Sequence, residues 1–222
     1  MKSKINTKTL VGIATFSALA FVVTLMCKMI PLVADFLSLD LKDAIISMAS
    51  FIYGPISAVV ISLIVAFIEL ITISTTGWYG FIMNFVSSAV FSLTATLIYR
   101  KIRSINGALI AFFSAIVATT AVMLLLNIFV TPLYMTSIGI PLDTAGVIEM
   151  IPNILLPFNF SKALLNSALA MVIYKPLSVA LRRIGLAAGD VSKMTFNRKT
   201  VIILAVGIVS MIVAIIILFI IA

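Results

Sequence analysis

Long apolar runs, separated by short polar connections, dominate the chain. They predict helices over about 9–30, 42–53, 55–75, 78–99, 106–130, 154–175 and 200–222. Most of these runs have the roughly 20 residues that a helix needs to cross the hydrocarbon core. Gly54–Pro55 is expected to hinge the second and third helices, and a longer loop is expected over 131–151. The pattern predicts an all-α membrane protein with a six-helix bundle plus an additional C-terminal transmembrane helix.

The same runs divide the chain into three parts. Residues 1–183 are predicted to form one six-helix membrane domain, 184–199 a basic cytoplasmic linker, and 200–222 the extra transmembrane helix. The first run, Leu10–Leu32, is too long for the apolar region of a signal peptide, so we interpret it as a retained helix. The last run, VIILAVGIVSMIVAIIILFIIA, is uniformly apolar and is expected to be an appended anchor or a subunit contact.

The composition excludes several kinds of chemistry. Charged residues make up 10% of the 222 residues, against about 25% in soluble domains. There is no His and a single Cys, Cys27, so His-based zinc sites, Ser/His proteolysis and intrachain disulfides are excluded. Intramembrane aspartyl chemistry would need paired Asp residues inside helices, and the Asp residues lie in predicted loops or at helix ends. We therefore expect no catalytic residue, no metal and no resident cofactor.

The basic residues indicate the orientation of the chain. With a cytoplasmic N-terminus, all but three of the 15 Lys and Arg residues fall on the cytoplasmic side, and the exceptions are Lys28, Lys42 and Lys162. This predicts a multi-pass membrane protein with a cytoplasmic N-terminus. The net charge of +8 is then a topology signal, and a nucleic-acid partner is not expected because no basic soluble surface exists.

The segment LPFNFSKALLN, residues 156–166, keeps polar groups inside a predicted membrane helix. Asn159, Lys162 and Asn166 are spaced i, i+3, i+7 and therefore share one helix face. The simpler interpretation is that Lys162 extends outward to the membrane surface while Asn159 caps a neighbouring helix. The alternative is that this face forms the polar wall of an outward-facing ligand pocket.

Other helices carry polar groups at a similar predicted depth. Asn84, Asn127 and Glu69 lie in the outer halves of three different helices, and the segment SLDLKDA, 38–44, can fold over them. Polar residues in the membrane usually face the bundle interior or a cavity, so their common depth favours a pocket. Aromatic residues nearby would suit a flat ring system: Phe81, Phe85, Phe129, Tyr134, Phe158 and Phe160.

The first helix carries a pattern of small residues. Ala14 and Ala18 form an A-x-x-x-A motif, which lets two membrane helices approach closely. The motif is explained either by packing within the bundle or by docking to another membrane protein.

These pieces together resemble a known family. The layout resembles the S components of energy-coupling-factor (ECF) vitamin transporters, and within them most the riboflavin-specific members. The resemblance covers about residues 9–183 and leaves out the last helix. It rests on SLDLKDA…FIYGPISAVVIS (38–62), GFIMNFVSSAVFSLTATLIYRK (80–101), N-x-x-x-TPLY (127–134) and IPNILLPFNFSKALLN (151–166).

The resemblance implies a ligand and a set of contacts. Riboflavin or flavin mononucleotide would be the transported ligand, bound by Asn127, Asn159 and Lys162. Leu39 and Asp40 would lie near the pocket mouth, and Asn84 falls in a matching motif. Two places depart from the family pattern: Lys42-Asp43, where a Ser-Asp pair is usual, and SKA at 161–163.

The resemblance also implies partners. The chain has no G-x-x-x-x-G-K-[ST] motif, so energy would come from a transmembrane scaffold subunit and two ATPase subunits, with Ala14 and Ala18 docking on the scaffold. Three alternatives stay open: an S component for thiamine, biotin, a folate or a queuosine precursor; an intramembrane enzyme; and a structural scaffold. A thiamine pocket would want a carboxylate with more Trp and His, and the common polar depth argues against a scaffold.

Overall fold

The structure, a computed structural model, describes residues 7–29, 37–102, 105–183 and 198–221. These residues form helices and their connections, without a β-sheet among them. The helices are α1 (Thr7–Lys28), α2 (Lys42–Tyr53), α3 (Pro55–Thr72), α4 (Gly77–Lys101), α5 (Ile105–Ser137), α6 (Thr144–Met150), α7 (Leu156–Arg183) and α8 (Arg198–Ile221). A single π-helical turn, Ile151–Leu155, joins α6 to α7.

Several helices in the described part of the chain are long enough to span a membrane. Six helical stretches there are long and apolar enough to cross a membrane. They are Thr7–Lys28, Pro55–Thr72, Gly77–Lys101, Asn106–Ser137, Thr144–Ile173 and Val201–Ile221. The predicted class, an all-α membrane bundle with an added C-terminal helix, is confirmed.

The short helix α2 lies at the centre of the bundle. It packs against α1, α3, α4 and α7, and its residues from Lys42 to Ser50 are all buried. Gly54 ends it with φ +103°, a conformation that favours glycine, and Pro55 starts α3 at the position where a missing N–H is harmless. The expected hinge at Gly54–Pro55 therefore turns the chain between two helices. At its other end, the start of α2 lies next to α7, where the Ala44 N–H donates to the Asn166 side chain.

The remaining helices surround α2. Helix α4 packs between α3 and α5, α1 packs on α2 and α3, and α7 packs on α2, α5 and α8. The Tyr53 side chain lies directly against Gly12, where any larger residue would collide with it. At one end of the bundle α1, α3, α5 and α8 end while α4 and α7 begin. We call this end the pocket end.

Two predicted boundaries were wrong around Pro132. Helix α5 continues to Ser137, and most of the expected 131–151 loop is helical, as the end of α5, all of α6 and the first residue of the π-helical turn. A proline removes one backbone hydrogen bond, but a membrane helix tolerates this loss because neighbouring groups satisfy the freed carbonyl. Pro132 therefore lies inside α5, although the sequence pattern suggested that the helix ends there.

The C-terminal part differs from the predicted ranges in a simpler way. Helix α7 runs to Arg183, past the expected end near 175. Most of the predicted linker, residues 184–197, lies outside the described residues. Helix α8 runs along α7, where Gly207 lies against Ala168 and Val172. The extra helix is thus in contact with the bundle.

Candidate ligand-binding site

A cavity of about 700 Å³ opens at the pocket end of the bundle. It is enclosed by the end of α1, the segment before α2, the α3–α4 connection, the start of α4, the end of α5 and the start of α7. Its lining residues are Leu25, Cys27, Lys28, Met29, Leu37, Ser38, Leu39, Ile73, Thr75, Thr76, Tyr79, Gly80, Met83, Asn84, Met123, Asn127, Val130, Thr131, Tyr134, Phe158, Asn159 and Lys162. A concave site of this volume matches small-molecule pockets.

The lining combines apolar groups with a few amides. Aromatic and methionine side chains line the cavity from α4, α5 and α7, at Tyr79, Met83, Met123, Tyr134 and Phe158. Amide and ammonium groups from the same helices complete it, at Asn84, Asn127, Asn159 and Lys162. Such a lining suits a ligand that is apolar in bulk and polar along one edge.

Two of the cavity asparagines are held in the same way. The side-chain amide of Asn159 donates to the backbone carbonyl of Leu155 at 2.7 Å, and that of Asn127 donates to Met123 at 2.7 Å. Thr131 also donates its hydroxyl to the Asn127 side-chain oxygen at 2.9 Å. Each bond joins residues four apart along one helix and fixes the side-chain orientation. Both amides are therefore positioned before any ligand arrives.

Lys162 bends inward rather than extending to the surface. Its ammonium group lies 2.8 Å from the Asp40 Oδ2 atom, and the same oxygen accepts from Lys42 at 3.1 Å. Lys42 also contacts Glu69 at 2.6 Å. These groups are almost fully buried, and buried charges persist only when they are paired. The contacts link α7, the segment before α2, α2 itself and α3.

Glu69 extends this network to two more helices. Its Oε1 atom lies 3.5 Å from the ammonium of Lys28 and accepts from the Asn84 amide at 3.4 Å. The three lysines that the charge pattern assigned to the outer side, Lys28, Lys42 and Lys162, thus converge on two carboxylates. Each of these lysines is kept at the pocket end of the bundle by its ion pair with Asp40 or Glu69.

Asp40 is the centre of the network and is ionised. Burial raises the pKa of its carboxyl group, but the adjacent ammonium groups of Lys162 and Lys42 outweigh burial and lower the pKa to about 2. Asp40 therefore stays negative throughout the neutral range. It holds Lys162 from behind and is not itself part of the cavity lining.

Asn166 connects the start of α2 to α7. Its side-chain oxygen accepts from the backbone N–H of Ala44 at 3.0 Å, and its amide donates to the backbone carbonyl of Asp40 at 2.9 Å. The first N–H groups of a helix have no partner within the helix, so this side chain acts as a cap supplied from another helix. Asn166 was not among the predicted site residues, although its i+7 spacing from Asn159 indicated the shared face.

The predicted site residues fall into three groups. Leu39, Asn84, Asn127, Asn159 and Lys162 line one cavity, and Asp40 lies behind Lys162. Ala14 and Ala18 lie away from the cavity on the exposed surface of α1.

The predicted aromatic residues are divided between the cavity and the surface. Tyr134 and Phe158 line the cavity, whereas Phe129 and Phe160 are exposed on the outside of the bundle. Tyr79 lines the cavity and was missed. Within the described residues no group of three His, Cys, Asp or Glu side chains could hold a metal ion.

Comparison with protein families assigns the class of this chain. The family model for the ECF transporter, substrate-specific component, matches residues 8–174. The chain belongs to this family and is a transporter subunit. The prediction of a transport subunit rather than an enzyme is therefore confirmed.

Individual relatives agree with this class. The chain is 30% identical over 178 residues to the riboflavin transporter RibU of Staphylococcus aureus, covering 80% of this chain and 94% of that protein. It is 26% identical over 172 residues to the riboflavin transporter FmnP of Bacillus subtilis, covering 75% and 90%. A solved structure, described as the S component of a bacterial ECF transporter, superposes with a TM-score of 0.65 at 30% identity, covering 79% of this chain and 98% of that one.

Proposed function

We propose that this chain binds riboflavin in the cavity and is the substrate-binding subunit for its uptake across the plasma membrane. Two of its relatives carry the name riboflavin transporter. The observation that carries the proposal is the lining itself, in which Asn127, Asn159 and Lys162 join Tyr79 and Tyr134 around a single cavity.

The chemistry of riboflavin matches this lining. The vitamin joins a flat three-ring system, with hydrogen-bonding groups along one edge, to a chain bearing several hydroxyl groups. Aromatic and methionine side chains contact a flat ring system with little loss of entropy. The held amides of Asn127 and Asn159 supply donors and acceptors for the polar edge and the hydroxyl chain.

The charge arrangement favours riboflavin over its phosphate. The ammonium of Lys162 is already matched by the Asp40 carboxylate at 2.8 Å. A phosphate group would bring a further negative charge close to Asp40, and like charges at short range in a buried site are costly. We therefore propose that the neutral vitamin is the preferred ligand and that flavin mononucleotide binds more weakly.

We infer the direction of transport from the distribution of basic residues. Lys8 starts α1, Arg100 and Lys101 end α4, and Arg198 starts α8, so all lie opposite the pocket end. Because basic residues concentrate on the cytoplasmic side, the N-terminus is cytoplasmic and the cavity faces outward. Vitamin then enters from outside the cell.

Energy for uptake comes from partner subunits in this proposal. The sequence has no phosphate-binding loop, so ATP hydrolysis falls to two ATPase subunits joined through a transmembrane scaffold. The small exposed residues Ala14 and Ala18 offer the scaffold a close helix–helix contact on α1.

A fluorescence titration of the purified full chain tests the ligand. Riboflavin fluorescence should be quenched at one-to-one stoichiometry. Asn159→Ala should weaken binding about three- to tenfold and Lys162→Ala about ten- to a hundredfold, the ranges expected for a neutral and a charge-assisted hydrogen bond. Phe160→Ala, an exposed neighbour on α7, is the matched control and should bind as the wild type does.

Two results of this titration would contradict the proposal. Absence of quenching at micromolar riboflavin would end the riboflavin assignment, while the transporter class would stand on the family match. Thiamine and biotin, titrated by calorimetry, would then identify the substrate. Flavin mononucleotide binding more tightly than riboflavin would refute the preference for the neutral vitamin.

A further inference from the structure

Helix α8 lies outside the part of the chain that matches the family, which ends at residue 174. It nevertheless presents a continuous face to α7. Its inward residues are spaced four, three, four and three apart, as in two helices packed along their length. They are Gly207, Met211, Ala214, Leu218 and Ile221. This repeat indicates that α8 is fixed in register on α7.

The packing of α8 is closest at Gly207. A methyl group there would meet the Val172 side chain at 3.0 Å and the Ala168 carbonyl oxygen at 3.2 Å. Further along, Ala214 is fully buried. The next positions on the other faces of α8 are largely exposed, as a lipid-facing surface would be. Phe219 is 75% and Ile220 77% exposed, against 3% for Leu218.

The end of α8 contacts residues that also form the ligand cavity. Ala214 and Leu218 form a buried cluster with Phe158 and Leu165 of α7. Leucines of the segment before α2, Leu37, Leu39 and Leu41, pack against the same cluster. Phe158, Leu37 and Leu39 also line the cavity. Helix α8 is therefore one layer behind the cavity wall.

The segment Leu37–Leu41, which we call the mouth segment, is thus held from two sides. On the bundle side, the Asp40 carboxylate contacts Lys162 and the Asp40 carbonyl accepts from Asn166. On the other side, its leucines pack against the cluster that Ala214 and Leu218 of α8 form with α7. Any outward movement of the mouth segment would break its apolar contacts with the cluster that contains Leu218, as well as its polar contacts with α7.

We propose that α8 braces the mouth segment in its closed position, with Leu218 as the positioning residue, and thereby slows release of the bound ligand. The cluster contacts are made in the position that the structure shows, and outward movement would lose them, so they favour the closed position over an open one. The effect on release rests on the proposed function, because it needs riboflavin as the ligand. The effect on the segment itself does not depend on it.

The test compares Leu218→Ala with Ile220→Ala, its lipid-facing neighbour, in the full chain. The first readout is deuterium exchange at the backbone amides of the mouth segment in ligand-free protein. Leu218→Ala should raise this exchange, Leu218→Met should restore it because Met fills the same volume, and Ile220→Ala should leave it unchanged. Unchanged exchange across α4 and α5 in the same samples shows that each variant is folded.

The second readout is the release of radiolabelled riboflavin during a chase with unlabelled vitamin. Leu218→Ala should release it about three- to tenfold faster, because the closed position is then less favoured by the same factor. Gly207→Leu, which lifts α8 from α7 without touching the mouth segment, should act in the same direction.

The outcomes separate the two proposals. If the wild type does not bind riboflavin but Leu218→Ala loosens the mouth segment, the proposed ligand fails and the brace stands. If the wild type binds and Leu218→Ala changes neither exchange nor release, the brace is refuted while the ligand stands. Equal effects of Leu218→Ala and Ile220→Ala would also refute the brace, because the exposed neighbour lies outside the cluster.

Discussion

Helices α7 and α8 are neighbours of similar length with very different sequences. Helix α7 carries Asn159, Lys162 and Asn166 within its first turns, whereas Ser210 is the only polar side chain between residues 201 and 221 of α8. Every one of the three polar groups on α7 has a partner, and two of them reach the segment before α2. The amides and the ammonium group of α7 are thus kept where they bind the chain or face the cavity.

The two helices show two ways in which a segment is held in place inside a membrane. Among the side chains that the structure describes, apolar packing sets α8 against α7. Lipid and a leucine face differ little in polarity, so the fit of the two surfaces decides this contact. The mouth segment is instead fixed by directed bonds from α7 and by shape from α8. Polar contacts specify a single geometry. The ligand cavity is accordingly lined by residues of α7, and by none of the described residues of α8.

The largest effect on this arrangement is expected from Asp40→Asn. The variant keeps the shape of the side chain but removes the carboxylate from Lys162, which lies 2.8 Å away. Breaking a buried ion pair on one side costs about 3–5 kcal/mol of unfolding free energy. Detergent unfolding of the purified chain, followed by circular dichroism, measures this loss, and riboflavin affinity should fall with it.

Asp143→Asn is the matched control for this prediction. Asp143 is exposed, and its oxygen accepts from the Gly146 N–H at 2.8 Å, a capping bond that Asn also makes. Its stability should change by less than about 0.5 kcal/mol. Combining Asp40→Asn with Lys162→Met removes both charges and should recover part of the loss. An Asp40→Asn chain as stable as the wild type would show that the pair contributes nothing.

A smaller loss is expected from Asn166→Ala. The change leaves the Ala44 N–H and the Asp40 carbonyl without their partner on α7. Unsatisfied buried backbone groups cost about 1–3 kcal/mol, less than an unpaired charge. The same unfolding measurement applies, with the exposed Asn153→Ala as control. A loss equal to that of the control would mean that the mouth segment does not depend on Asn166.

The sequence predicted which polar residues line the cavity better than it predicted the contacts between them. Helical periodicity placed Asn159, Lys162 and Asn166 on one face of a helix, and the first two of them line the cavity. Their common depth with Asn84 and Asn127 followed from counting turns along each helix. Five of the six predicted ligand residues line one cavity in the structure.

The pairings across the bundle were beyond a single sequence. Asp40 and Lys162 are 122 positions apart, and Lys42 and Glu69 are 27 apart. Periodicity reports which way a side chain points on its own helix and carries no information on which helix it faces. The same limit applies to Leu218, whose cluster with α7 and the mouth segment depends on the placement of α8.

The smallest effect on the folded subunit is expected from enlarging the small residues of α1. Ala14→Leu with Ala18→Leu adds bulk at exposed positions, so stability should stay within about 0.5 kcal/mol and riboflavin affinity should be unchanged. Uptake by cells that express the whole transporter should nevertheless fall to background, because bulky side chains keep a partner helix from approaching α1. Ala121→Leu, at an exposed position of α5, controls for added bulk and should leave uptake intact. Normal uptake in the α1 double variant would place the scaffold contact on another face of the bundle.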